Sequence, residues 1–199
     1  LGSFVSERVG RWRSGSDDGQ TGVLVALVIL TGIVFARFAR PTAKILFSDH
    51  ALIAPYQDKT AFMMRLVNSR NNQMIEVEAK IMFSRLVEEN GKKNRRFDML
   101  ELERDQVVFL PLSWTLVHPI DENSPMFGMT EEDFHNSDAE FAILLSGMDE
   151  TYAQIVHTRT SYKPNEIKHG FKFTSIYNEV ESGEKISIDV RKLSKIEKA

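Results

Sequence analysis

The 199 residues carry 25 Lys and Arg against 28 Asp and Glu, a formal net charge of −3; binding to nucleic acid needs a basic excess or a basic face, so this balance argues against such a partner. Hydrophobic residues make up 42% and charged residues 27%, a globular rather than a disordered composition. With no cysteine, disulfide scaffolds, Cys-ligated zinc, iron–sulfur clusters and thiol catalysis drop out.

Residues 1–20 are rich in Ser, Gly, Asp and Arg, and the stretch WRSGSDDGQ reads as a disordered segment with no assigned role. From Gly22 to Ala36 runs an unbroken apolar stretch of 15 residues, and Thr21–Ala39 extends it to 19 with only Arg37 interrupting. At about 1.5 Å per residue this reaches roughly 28 Å, against a hydrocarbon thickness of about 30 Å. The pattern predicts a transmembrane helix over residues 21–40, with a buried soluble helix as the alternative. A signal peptide fits poorly, because Arg37, Phe38 and Arg40 stand where a small-residue cleavage site belongs. Arg37, Arg40 and Lys44 follow the run while Asp17 and Asp18 precede it. The C-terminal side is therefore expected in the cytoplasm of a single-pass cell-membrane protein.

Pro41 ends the helix, and residues 41–199 are long enough for one domain with its own core. Short strand-type runs follow, separated by turn signals. They are Ala61–Val67, Met74–Leu86, Phe97–Leu102, Gln106–Phe109, Phe141–Leu145, Tyr152–Tyr162, Phe171–Tyr177 and Lys185–Val190. Strands so spaced predict a mainly β fold, an antiparallel sandwich. One helix is signalled, from Thr130 to about Ser137, where Thr130 caps and Glu131, Glu132 and Asp133 favour the positive N-terminal end. Alternation in the second run puts Met74, Glu76, Glu78 and Lys80 on one face and Ile75, Val77, Ala79 and Ile81 on the other. The apolar set is expected to face the core and the carboxylates to face water, or a water-filled space between copies of the chain.

Chemistry is sparse. His50, His118, His135, His157 and His169 are scattered without metal-ligand spacing, and no metal site is expected. No nucleophile elbow, phosphate loop or dinucleotide fingerprint occurs. Asp121 and Glu122 sit in a turn, DENSP, rather than as a catalytic pair, and Trp114 reads as a core aromatic. An enzyme has no constellation behind it.

Four stretches in order resemble the inward-rectifier potassium channel family, most closely its bacterial branch. TGIVFARFARPTAKILFS (Thr31–Ser48) is similar to that family's junction between inner helix and cytoplasmic domain. MMRLVNSR (Met63–Arg70) matches a pattern of Arg, two residues, then Asn-x-Arg. SWTLVHPIDENSP (Ser113–Pro125) resembles a Trp-Thr, His-x-Ile-Asp, Ser-Pro signature. Gly128–Tyr162 resembles the run through a short helix, the next strand and the gating loop.

The resemblance implies an immunoglobulin-like β-sandwich below a transmembrane pore, assembled as a homotetramer. Glu76 and Glu150 would line the ion path, so that four copies focus negative potential on it. Thr151, Tyr152, Ala153, Gln154 and Ile155 would form the gate loop, with Ala153–Ile155 at the constriction. Arg40 and Lys44 would bind anionic lipid, phosphoinositide headgroups above all. No cofactor is implied; K⁺ would be the permeant ion, with Mg²⁺ or a polyamine as candidate blocker.

Departures temper this. The family's outer helix and Thr-x-Gly-Tyr-Gly filter are not found in residues 1–20, so these residues by themselves are not expected to select potassium. Thr42 and Ala43 thin the basic cluster, and no acid in Thr21–Ala36 argues against steep voltage-dependent rectification. The expectation is a gating and vestibule portion of a channel subunit; the alternative is a membrane-tethered, non-conducting interaction module.

Overall fold

The computed structural model describes residues 17–38, 44–69, 73–151, 153–179 and 186–199. The chain divides into two compact units, Leu1–Arg40 and Pro41–Ala199. In the first, α1 spans Asp17–Phe38. Its described side chains, from Thr21 to Ile33, are all exposed, and the Thr31 hydroxyl donates to the Leu27 carbonyl one turn back at 2.6 Å, which satisfies it within the helix. Those 13 residues make roughly 20 Å of helix. Among the described residues no helix is long and apolar enough to cross a membrane.

The second unit is β-rich. Its elements are β1 (Ile45–Phe47), β2 (Ala51–Tyr56), β3 (Lys59–Asn68), β4 (Met74–Glu89), β5 (Lys92–Leu100), β6 (Gln106–Phe109), β7 (Ser113–Ile120), α2 (Glu131–Asn136), β8 (Glu140–Asp149), β9 (Gln154–Tyr162), β10 (Ile167–His169), β11 (Phe171–Phe173) and β12 (Ile196–Lys198). In the first sheet β3 is central, with β7 along one edge and β2 and β1 sharing the other. In the second sheet β4 is central, with β8 on one edge, β5 and β6 sharing the other, and β9 beyond β8. The two sheets bury their facing side chains in one common core, which makes a β-sandwich.

An aromatic stack ties the layers. Phe62 of β3 stacks on Phe141 of β8 at 4.5 Å between centroids, and Phe141 stacks on Phe83 of β4 at 4.7 Å. Phe134 of α2 meets both Phe83 and Phe141 edge-on, the geometry that ring quadrupoles favour. Thr130 caps α2 with a reciprocal capping box to Asp133; the Thr130 N–H holds the Asp133 carboxyl below the usual carboxylate range. Across the two sheets the Tyr162 hydroxyl donates to the Ser48 carbonyl at 2.6 Å, and burial pushes its pKa up to about 12.

The structure corrects the expected elements in several places. The sandwich is not wholly antiparallel: after β9 the chain crosses to the first sheet and β10 pairs parallel with β2. β1, β2, β7, β10 and β12 fall outside the expected runs. β5 starts at Lys92 rather than Phe97, because hydrogen bonding to β4 extends through polar residues on an exposed edge. Residues near Ile188 form a single bridge to Tyr177 and a short turn at Val190–Lys192 instead of a strand.

Residues 171–179 and 186–199 fold back as a third layer. Phe171, Phe173 and Ile196 pack on Leu52, Ala54, Ala61, Met63 and Val117, and Ile176 and Leu193 pack on Val67. The first sheet is therefore buried on both faces. This is why AFMMRLV reads as a continuous apolar run instead of an alternating one. Arg65, in the middle of that run, places its guanidinium 4.4 Å over the Phe173 ring and donates to the Thr174 carbonyl at 2.8 Å. Burial lowers its pKa from the ordinary arginine value.

Candidate functional site

The acidic residues singled out in the sequence sit at one end of the second sheet. β4 pairs with β8 in register from Ser84 back to Glu78, then shifts between Glu78 and Ile75. Glu76 takes a left-handed conformation there, φ 51°, and is exposed. This is a β-bulge, which inserts an extra residue and re-aims a side chain. It also overturns the simple alternation expected for Met74–Ile81. Met74 is buried and Ile75 only half-buried, because the bulge shifts the pleat by one residue between Ile75 and Val77.

Opposite the bulge stands Gly147. A Cβ there would lie 3.2 Å from Met74 Cε and closer still to Val77, so the bulge occupies the space a side chain would need. The site depends on this residue, which sequence reasoning missed. The only signal was a glycine inside an otherwise apolar strand.

β8 and β9 are joined by the loop Glu150–Ala153, an extension of the same end of the sheet, since Met74 is opposite Asp149 and Asp149 opposite Gln154. Asp149 is buried and accepts from the Thr151 N–H at 2.9 Å, the side-chain turn that starts the loop. Ala153 closes it at φ 49°. Glu150, Thr151, Ala153, Gln154 and Ile155 are all exposed, with Ile155 at 66%. Tyr152 lies outside the described residues. The Glu150 N–H donates to the Gln73 carbonyl at 3.2 Å, which ties the loop to the chain entering the Glu76 bulge.

At the other end of the same connection, the Ser69 N–H and hydroxyl both donate to the Lys44 carbonyl, at 3.0 and 2.7 Å. Lys44 is exposed, and its backbone is thus fastened to the β3–β4 connection. Arg40 lies outside the described residues. Ser69 is a second residue the sequence reading passed over.

The turn signature of Ser113–Pro125 also has a physical role. His118 is 3% exposed, with Nδ1 2.6 Å from the Glu101 carbonyl and Nε2 2.8 Å from Ser124 Oγ. A carbonyl only accepts, so Nδ1 carries the proton and Nε2 accepts from Ser124. Burial pushes its pKa below the ordinary histidine value. Asp121 meets Lys59 at 3.1 Å, and that contact lowers its pKa. The His118 latch holds the residue 101–105 loop, whose Asp105 carbonyl accepts from the Ala79 N–H at 2.8 Å beside the bulge. Among the described residues no group of three or more His, Asp or Glu could hold a metal ion.

Comparisons with known proteins identify the family. The family model for the inward rectifier potassium channel C-terminal domain matches residues 45–199. The chain is similar to the inward rectifier potassium channel Kirbac3.1 of Paramagnetospirillum magnetotacticum, 37% identical over 174 residues, covering 87% of this chain and 59% of that one. It is 31% identical to the ATP-sensitive inward rectifier potassium channel 12 of Mus musculus, over 79% of this chain and 39% of the relative. The inward rectifier potassium channel 18 of Homo sapiens is similar to the same degree, 31% over 79% of this chain and 38% of its own length. The chain thus spans between about two-fifths and three-fifths of the relatives it matches. That family consists of ion channels rather than enzymes. This chain belongs to the inward-rectifier potassium channel family, and the sandwich of residues 45–199 is its C-terminal domain.

Proposed function

We propose that the chain is the cytoplasmic gating and vestibule portion of an inward-rectifier potassium channel subunit, working as four copies around an axis. Glu76 and Glu150 line the cation path in this reading, and the loop from Thr151 to Ile155 forms its narrow collar. The observation that carries it is the left-handed bulge at Glu76, which turns an exposed carboxylate out at the same sheet end as the Glu150 loop. Left-handed backbone at a non-glycine residue costs about 1–3 kcal/mol and persists where surrounding structure imposes it. Eight carboxylates, two from each of four copies, raise the local concentration of cations in a confined aqueous path.

Coupling to the membrane runs through the β3–β4 connection, held at one end by Lys44 and at the other by Glu150. Contact of Arg40 and Lys44 with anionic headgroups biases that connection and with it the collar. The apolar run of α1 is the anchor in this reading. Its support is the sequence from Gly22 to Ala36 and the 22-residue length of the helix.

Purified in detergent, the chain is expected to run as four copies and to bind Mg²⁺ or spermine. Glu76→Gln with Glu150→Gln should weaken that binding about tenfold. Unchanged binding removes the electrostatic role. A chain that stays single at every concentration removes the shared path and favours a membrane-tethered interaction module.

A further inference from the structure

β4 outruns one of its partners. β8 begins at Glu140, opposite Ser84, while β4 continues to Glu89. Beyond Ser84 the strand pairs only with β5, through a hairpin whose two turn residues, Asn90 and Gly91, have φ of 56° and 72°. A two-residue turn of this kind makes Glu89 and Lys92 a hydrogen-bonded pair, and the antiparallel ladder alternates from there. Val87 therefore bonds to β5, whereas Leu86 and Glu88 turn their backbone groups to the opposite edge. The Leu86 N–H shows that direction, donating to the Ser137 carbonyl at 2.6 Å. On the same edge the Leu86 carbonyl and both backbone groups of Glu88 find no partner among the described residues.

A groove of about 530 Å³ lies along this edge, walled by the end of α2 and the turn from Pro125 to Met129. Ligand sites fall in that size range. The Arg85 guanidinium fixes the turn, donating to the Pro125 carbonyl at 2.7 Å, and its Nη1 lies 3.9 Å from the Met129 sulfur. Arg85 and Val87 share one face of β4, and on that side the groove is apolar, with Met129 half-buried and Phe127 57% exposed. Glu88 stands on the other face, exposed. The Asp133 carboxylate lines the α2 wall, kept ionised by the Thr130 N–H at 2.7 Å. Arg85 already faces Asp98 at 3.6 Å, and Lys93 sits on β5, across β4 from the open edge. The charges nearest that edge are therefore acidic.

We propose that this edge docks a short extended peptide of another protein, which adds to β4 where β8 stops. An open strand edge recognises a main chain through alternating N–H and carbonyl groups, and alternate side chains set specificity. The peptide residue opposite Glu88 is basic and meets that carboxylate across the strands. Its two neighbours are apolar and lie toward Met129 and Phe127. The groove is at the end of β4 remote from Glu76, so the inference goes beyond the ion-path reading and does not rest on it.

The probe is a fluorescein-labelled pentapeptide that alternates valine and lysine, with valine at both ends and at the centre. Titrated by anisotropy into the purified full chain, it should bind saturably. N-methylation of its two lysine amides, which face β4, should weaken binding about tenfold or more. N-methylation of the central valine amide, which faces away, should leave binding unchanged. Exchanging both lysines for glutamate should weaken it at least about threefold. In the protein, Glu88→Pro removes an N–H that the β4–β5 ladder does not use, so the melting temperature should hold while binding falls about tenfold. A probe that does not bind, or that binds as well with both lysine amides methylated, overturns the docking edge. Equal losses for the two kinds of methylated peptide overturn it too. Should Glu88→Pro melt early, the peptide series alone decides.

Discussion

A Cβ on Gly147 would lie 2.9 Å from Cγ2 of Val77 and 3.4 Å from the Ile75 carbonyl oxygen, so the strand facing the Glu76 bulge tolerates no side chain at that point. Val77 is buried and β-branched, so its side chain is stiff and the close-packed interior around it resists a shift. Gly147→Ala is expected to cost about 1–3 kcal/mol, the range for overpacking a close-packed interior. It should also move the bulge, so Mg²⁺ binding ought to weaken although neither carboxylate is altered. Thermal melting together with a binding titration checks both; an alanine variant with parental stability and binding would show that the bulge does not depend on the glycine.

The bulge makes a second expectation at Glu76 itself. Its φ of 51° lies where L-residues pay roughly 1–2 kcal/mol and glycine pays none. Glu76→Gly relieves that strain but widens the unfolded ensemble, so its net effect on stability should stay within about 1 kcal/mol. Glu76→Val, β-branched in a left-handed position, should lose about 2 kcal/mol or more. Equal melting temperatures for the two variants would mean that the left-handed conformation is not imposed by the fold.

What could be read from sequence followed from how local each signal was. The α2 helix was legible because its start is chemical: Thr130 and Asp133 exchange hydrogen bonds across one turn. The loop carrying Glu150 was placed by motif resemblance and is a hairpin connection in the structure. Alternation alone misplaced Met74, because a bulge one residue long leaves no mark in composition and reverses the phase of everything before it. Lys92–Arg96 carries no apolar pattern, since β5 is held by backbone bonds on an exposed edge. The third layer was hidden for another reason. Its anchors, Phe171, Phe173, Ile176, Leu193 and Ile196, are spread over segments with little regular structure, and their partners lie far upstream, all but Val117 by more than a hundred residues.

His118 gives the fold a defined acid sensitivity. Burial holds its folded-state pKa below the unfolded value of about 6.5. Above that value the imidazole is neutral in both states and the latch to Glu101 and Ser124 is fully stabilising. As pH falls below it the unfolded chain takes up a proton that the folded chain does not. Stability then declines, at most by about 1.4 kcal/mol per pH unit, until the folded pKa is reached. His118→Gln removes this term. Melting temperatures measured from about pH 7.5 down to pH 5.5 should fall less steeply in the variant than in the parent, and parallel curves would place the acid sensitivity elsewhere.

Arg65 is the fastening of the third layer, and its removal should loosen that layer before the sandwich. Its guanidinium covers the Phe173 ring and supplies the donor for the Thr174 carbonyl. Arg65→Met keeps much of the apolar stem and deletes both contacts, leaving a carbonyl unpaired, for a loss of about 2–3 kcal/mol. The aromatic stack of Phe62, Phe141 and Phe83 lies on the opposite face of the first sheet from Phe173, so the core between the sheets keeps its packing. Limited proteolysis should therefore cut the variant first at the basic residues beyond Gly170, among them Lys172, Arg191 and Lys195, and leave a resistant body ending near there. Arg65→Lys retains a cation over the ring but not the planar donor array, and should fall between parent and methionine variant. Uniform digestion of the Arg65→Met chain would show that the C-terminal layer and the sandwich unfold together and that Arg65 does not hold one to the other.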